Sequence, residues 1–221
     1  MRSYFLNILF ACSVIFFSCN SLKKTTKRNT NAKYDHSSKS FKINGLLVSA
    51  KNSTQFDTVI KSASDTLSIA VNSTYAYFPF GPIKANPKPD LGLLHTFSIT
   101  NEILRTDIGD EDLLILNHGS SKVIYAYNST YEGSDADLYK GEIYDADVHF
   151  INGIKIGMNI DDFYKVFFDH FPKDLKDRYA YFMLETTYGL THIYAFENNK
   201  LKSVKFTSET YWKLAYNTLL Q

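Results

Sequence analysis

The chain has 221 residues and a formal net charge of +1. Arg2 and residues 20–40 together carry +6, so residues 41–221 carry −5. That balance excludes the clustered positive charge on which nucleic-acid binding depends, and the roughly 180 residues after the first forty suffice for one sizeable core or two small ones.

The N-terminus reads as an export signal. Arg2 precedes an apolar run over residues 4–17, broken only by Asn7 and Ser13. The run is too short to cross a bilayer, which takes about 20 residues, and fits the apolar core of a secretory signal over residues 1–18. A small residue, Ser18, then precedes Cys19. This resembles the lipobox of bacterial lipoproteins, in which a small residue lies before the cysteine that is acylated. Phe16 departs from the Leu or Val usual three positions upstream. Cys12 is a rival site, but it would leave only a stub of apolar core before it. With Cys19 lipidated and Cys12 removed, the mature chain has no disulfide, no free thiol nucleophile and no thiolate metal site. Residues 19–40 hold the lipidated Cys19 and then Lys23, Lys24, Lys27, Arg28, Lys33 and Lys39 against Asp35, without apolar periodicity. They read as a flexible polar tether. The expected location is the cell envelope, lipid-anchored, on the outer membrane in preference to the inner. No apolar run after residue 19 is long enough to span a membrane.

Residues 43–108 and 151–206 carry an apparent internal repeat. Ile43-Asn44-Gly45 matches Ile151-Asn152-Gly153, and Tyr75-Ala76-Tyr77-Phe78 matches Tyr179-Ala180-Tyr181-Phe182. Gly92-Leu93-Leu94-His95 matches Gly189-Leu190-Thr191-His192. Each copy predicts a short strand, an Asn-Gly turn, a helix and then strands. In the first copy Asn52 or Ser53 caps a helix whose buried face is Phe56, Val59, Ile60 and Ala63. Strands follow near 74–80, 93–100 and 103–108, with another possible near 66–71. The loop 79–92 holds four of the five prolines and cannot be a central strand. DLLILN and KVIYAYN flank an NHGSS turn, and EIYDADVHF alternates as a strand leading into the second copy. There Asn159 is the expected N-cap, with Asp161 and Asp162 in the first turn and an apolar stripe of Ile160, Phe163, Phe167 and Phe171. Strands at 178–185, 189–197 and 200–207 close the copy, the last two joined by an Asn198-Asn199 hairpin turn. The expected fold is α+β: two tandem helix-on-antiparallel-sheet repeats, at 41–148 (with inserted hairpin strands) and 149–221.

The segment IKIGMNIDDFYKVF and the closing IYAFENNKLKSVKF resemble the β-lactamase-inhibitor-protein-like domains, a group that includes small outer-membrane lipoproteins of the β-barrel assembly machinery. The likeness covers about a quarter of the chain well and half of it loosely; Ser49-Ala50 and Thr100-Asn101-Glu102 depart from it in the first copy. It implies a helix packed on an antiparallel sheet, in tandem, and a protein-binding role without catalysis.

No phosphate-cradling glycine loop, dinucleotide fingerprint or HExxH motif is present, and no cofactor is implied. On a strand, Asp145, Asp147 and His149 would share one face and could take a divalent ion, although alternation alone yields the same pattern on a solvated face. The neighbouring Asp135, Asp137 and Glu142 do not fit the calcium-loop template. His95 and His192 hold equivalent repeat positions, as a ligand pair or as half-buried sheet histidines. Tyr75, Tyr77, Tyr125, Tyr127, Tyr179 and Tyr181 come in i, i+2 pairs that suit either interface anchors or the core. The expectation is a non-catalytic, lipid-anchored envelope protein that binds another envelope protein. The alternative is a metal-dependent hydrolase, or a metal- or small-ligand-binding envelope protein.

Overall fold

A computed structural model describes residues 40–208, apart from 86, 87, 107, 108, 131, 132, 134 and 188. The signal segment, Cys19 and the tether up to residue 39 lie outside the described residues.

The described residues open on a hairpin of β1 (Ser40–Ile43) and β2 (Leu46–Ala50). Its turn is Asn44-Gly45, with φ of 51° and 83°. Asparagine and glycine tolerate positive φ, and two such residues form the tight turn that matches strand twist. β3 (Phe56–Ser62) and β4 (Thr66–Val71) follow, then one turn of helix, α1 (Thr74–Tyr77). Among its described residues the proline-rich stretch forms only isolated bridges, from Lys84 to Asp90 and from Lys84 to Asp135. Four strands come next: β5 (Ser98–Thr106), β6 (Gly109–His118), β7 (Ser121–Tyr127) and β8 (Asp137–Ile143). The chain then forms α2 (Ile160–Phe167), β9 (Phe168–His170), α3 (Lys173–Lys176), β10 (Tyr181–Thr186), β11 (Thr191–Glu197) and β12 (Lys200–Thr207).

Two sheets result. A three-stranded sheet has the order β1-β2-β9, and a nine-stranded sheet the order β3-β4-β10-β11-β12-β8-β7-β6-β5. Neighbours are antiparallel except β4 and β10, which run parallel. The expected boundary between 148 and 149 falls just after β8, and strands from both sides of it share the large sheet: β4 pairs with β10, and β8 with β12.

This corrects the expected α+β class. Strand makes up 52% of the described residues and helix 14%, so the protein is mostly β, not two tandem helix-on-antiparallel-sheet repeats. The two copies do not share local structure. Where the second copy has α2, the first has β3. At α2 the Asn159 side chain accepts a hydrogen bond from the Asp161 amide at 2.9 Å, and Asp161 and Asp162 lie in the first turn. At 52–54 no side chain caps the short 3-10 turn, and Gln55 turns left-handed at φ 47°. The β-branched run Thr58-Val59-Ile60 then favours a strand, which hydrogen-bonds to β4. The repeated YAYF block likewise diverges. Tyr75-Ala76-Tyr77 lies within α1, whereas Tyr181-Phe182 begins β10. The strands expected at 93–100 and 103–108 are a single nine-residue strand, β5, preceded by a 3-10 turn at Gly92–Leu94.

The core is aromatic. Phe163 of α2 sits 4.9 Å from both Tyr194 and Phe196 and 5.5 Å from Phe182, ring centre to ring centre. Tyr164 stacks on Phe171 at 4.1 Å. The apolar stripe of α2 therefore docks on β10 and β11, and offset or edge-to-face pairs add to the area each ring buries. Asn198 and Asn199 close the β11–β12 hairpin at φ 52° and 60°, as their spacing predicts.

Candidate functional site

Antiparallel pairing brings the start of β6, the end of β7 and the start of β8 to one end of the large sheet. Two of the three carry acidic residues there: Asp110, Glu111 and Asp112 on β6, and Asp135 and Asp137 at the head of β8. Two adjoining hollows open at this end. One, of about 680 Å³, is lined by Tyr77, Phe78, Glu111, Asp137 and Leu190 among others. The second, of about 430 Å³, is lined by all five carboxylates with Tyr127 and Asn128. They share Glu111, Ala126 and Asp137, so the two hollows adjoin as a divided groove at this end. Among the described residues no lysine or arginine lines either hollow.

The groove is electrostatically crowded. Burial and the neighbouring charge of Asp135 raise the pKa of the Asp137 carboxyl above its ordinary value. Burial and the charge of Asp112 raise the Tyr127 hydroxyl in the same way. Asp112 accepts a hydrogen bond from the Ser129 amide at 3.3 Å. Arg105 lies across the β5–β6 ladder from Asp110, yet among the described residues none of the five carboxylates forms an ion pair. Such an end attracts positive charge and repels negative charge at a distance.

The six tyrosines separate. Tyr77 and Tyr127 edge the groove, both half-buried. Tyr125 is in the core, and its hydroxyl has no hydrogen-bond partner among the described residues. Tyr179 is buried and bonds through its hydroxyl to Ser62 at 2.6 Å and Asn44 at 3.0 Å, tying the β1–β2 turn to the body. Tyr181 is exposed at the start of β10, the opposite end from the groove.

Tyr75 belongs to a buried polar chain. Its hydroxyl bonds to that of Tyr194, which bonds to His192 Nδ1 at 3.1 Å, while His192 Nε2 bonds to the Ala76 carbonyl at 2.9 Å. A carbonyl only accepts, so Nε2 carries the proton, Nδ1 accepts from Tyr194, and Tyr75 donates to Tyr194. Burial pushes the His192 imidazole down to about 4, so it stays neutral. His95 is no counterpart: it is exposed after the 3-10 turn, with Nδ1 3.3 Å from the Gly92 carbonyl.

The acidic strand face expected at Asp145, Asp147 and His149 does not form, because β8 ends at Ile143. Asp145 accepts from the Ser121 hydroxyl at 2.6 Å and the Ser120 amide at 2.9 Å, closing the β6–β7 turn; these bonds hold its carboxyl below the usual range. Asp147 pairs with His118 Nε2 at 2.8 Å and raises that imidazole above its ordinary value. His149 forms a backbone bridge with Lys155 instead. Among the described residues no group of three His, Cys, Asp or Glu side chains is placed to hold a metal ion.

Sequence reasoning missed Asp110, Glu111 and Asp112. The run GDED at the head of an apolar strand, with the DAD at 135–137, was the available signal. Only the pairing of β6, β7 and β8 brings the two together.

Comparison of the chain with known protein families, curated proteins and solved structures finds no match. No helix among the described residues is long and apolar enough to cross a membrane.

Proposed function

We propose that this is a lipid-anchored cell-envelope protein that binds a cationic segment of a protein partner, without catalysis, in the acidic groove at one end of its large sheet. The observation that carries this reading is the groove itself. Five carboxylates, with Tyr77, Tyr127 and Tyr139, line two adjoining hollows that have no lysine or arginine among their described lining residues. Mutual repulsion within them is relieved when positive charge arrives, and Tyr77 and Tyr127 offer rigid, amphipathic surface to the aliphatic stems of lysine or arginine. A lipid on Cys19 suits a binder held near the outer membrane, where its partner is another envelope protein.

Two experiments test the two halves of the reading. Titration of the purified protein with an octalysine peptide should show binding that weakens as salt rises, because exposed charges are screened. The variant Asp110→Asn/Glu111→Gln/Asp112→Asn should bind about tenfold more weakly or worse. Equal binding by the variant, or equal binding of an oligoglutamate peptide, would remove the groove from the account. For the anchor, labelled palmitate should be incorporated by the chain in a bacterial host and lost in Cys19→Ser. Label that persists in Cys19→Ser and disappears in Cys12→Ser would reassign the site.

A further inference from the structure

The two edges of the nine-stranded sheet are built differently. β3, at one edge, breaks register twice against β4, between Phe56 and Thr58 and between Val59 and Lys61. Such irregularities twist an edge away and discourage further pairing. β5, at the other edge, pairs with β6 over nine consecutive residues without a break, from Ser98 opposite Asn117 to Thr106 opposite Gly109. It contains no proline and no lysine, the residues that commonly guard an edge. Every residue from Ser98 to Ile103 is exposed. Two of them are large and apolar: Ile99, 43% exposed, and Ile103, 61% exposed. They are four apart and so share one face of the strand.

We propose that β5 is a self-association edge, on which a second copy of this chain adds its own β5 in antiparallel register centred on Asn101. The occupant follows from the strand's self-complementarity. A two-fold axis perpendicular to the sheet keeps faces matched, so a residue can only oppose one of the same parity. Centred on Asn101, that symmetry sets Ile99 opposite Ile103 of the second copy, and Ile103 opposite its Ile99. Both exposed isoleucines of each chain then lie in cross-strand apolar pairs. Glu102 falls opposite Thr100, which can donate a hydrogen bond to it. The register centred on Glu102 instead sets the two glutamates directly against each other and Ile99 against Arg105, which charge and apolar matching both disfavour. The favoured register pairs Ser98 through Leu104, seven residues spanning about 24 Å. That is small beside a standard interface of roughly 1,600 Å², so the dimer is weak and concentration-dependent. It joins two nine-stranded sheets edge to edge.

Sedimentation velocity and hydrogen exchange of the purified full chain over a concentration series test this. The expected result is a monomer–dimer equilibrium, with amide protection in residues 98–106 rising with concentration. The double variant Ile99→Lys/Ile103→Lys should stay monomeric at every concentration with an unchanged far-ultraviolet circular dichroism spectrum. Leu47→Lys, an exposed apolar residue at the β1–β2 tip, should dimerise as the parent does. A parent chain that is monomeric throughout overturns the proposal. So does a dimer that survives the double lysine variant or forms without protection at 98–106. Protection that appears only when a foreign strand-forming peptide is added assigns the edge to a different partner and equally refutes self-pairing.

Discussion

Acid should unfold this protein through one histidine more than through any other imidazole. His192 is fully buried, and its two ring nitrogens bond to the Tyr194 hydroxyl and the Ala76 carbonyl. Burial lowers its pKa from 6.5 to about 4. In the unfolded chain the ring titrates near its ordinary value, so between pH 6.5 and 4 the unfolded state takes up a proton that the folded state refuses. The stabilisation from a neutral His192 is therefore complete above pH 6.5 and is lost as pH falls towards 4. Two and a half units correspond to about 3 kcal/mol, most of it gone by pH 4.5. Carboxylates titrate in part of this range too, so the assay needs a reference. Glutamine can accept from Tyr194 and donate to Ala76 without titrating, and His192→Gln supplies it. Urea unfolding of both proteins at pH 7.5, 6.5, 5.5 and 4.5 should show the parent losing roughly 2–3 kcal/mol relative to the variant across the series. Parallel curves would refute the reasoning, since they would mean that the ring titrates alike in both states.

Phe163→Ala removes the ring that joins α2 to β10 and β11, and should cost about 3–5 kcal/mol in urea unfolding. Ser121→Ala leaves the amides of Tyr144 and Asp145 and the carboxylate of Asp145 without the hydroxyl that each bonds; it should cost about 1–3 kcal/mol, read from the same assay. Gly119→Ala strains the same turn by another route, because φ is +53° and a Cβ would meet Asp145 Oδ1 at 2.5 Å; its melting temperature should fall. Asp137→Asn should act in the opposite direction. The folded-state pKa of Asp137 is raised, so its ionised form disfavours folding above that pKa. The variant should melt higher than the parent at pH 7, and the gain should vanish at pH 3.

What the sequence disclosed, and what it hid, follow from whether the signal was local. The Asn159 cap, the apolar stripe of α2 and the Asn198-Asn199 hairpin are set within a few residues, and all three form as expected. Thr66–Val71, with its apolar and β-branched residues, was legible as a possible strand. The segment 56–62 failed because its apolar spacing suited a helix while its β-branched residues suited a strand, and pairing with β4 decided between them. The YAYF match misled because similar tetrapeptides take the state that their surroundings impose. Asp145 and Asp147 were read as alternating on a strand, but the chain turns after Ile143 so that Asp145 can hold the Gly119–Ser121 turn. Of the six tyrosines, only Tyr77 and Tyr127 reach the groove. Spacing of two along a strand says which residues share a face, not whether that face is covered.

The binding account turns on where positive charge lands. Two-dimensional amide NMR of the purified protein, titrated with the octalysine peptide, locates it residue by residue. Shifts should concentrate at residues 110–112, 126–130 and 135–138, with little change on β3, β4 or the β1–β2 hairpin. Shifts gathered at the Asp145 and Asp147 turn, or scattered evenly over exposed carboxylates, would contradict groove binding.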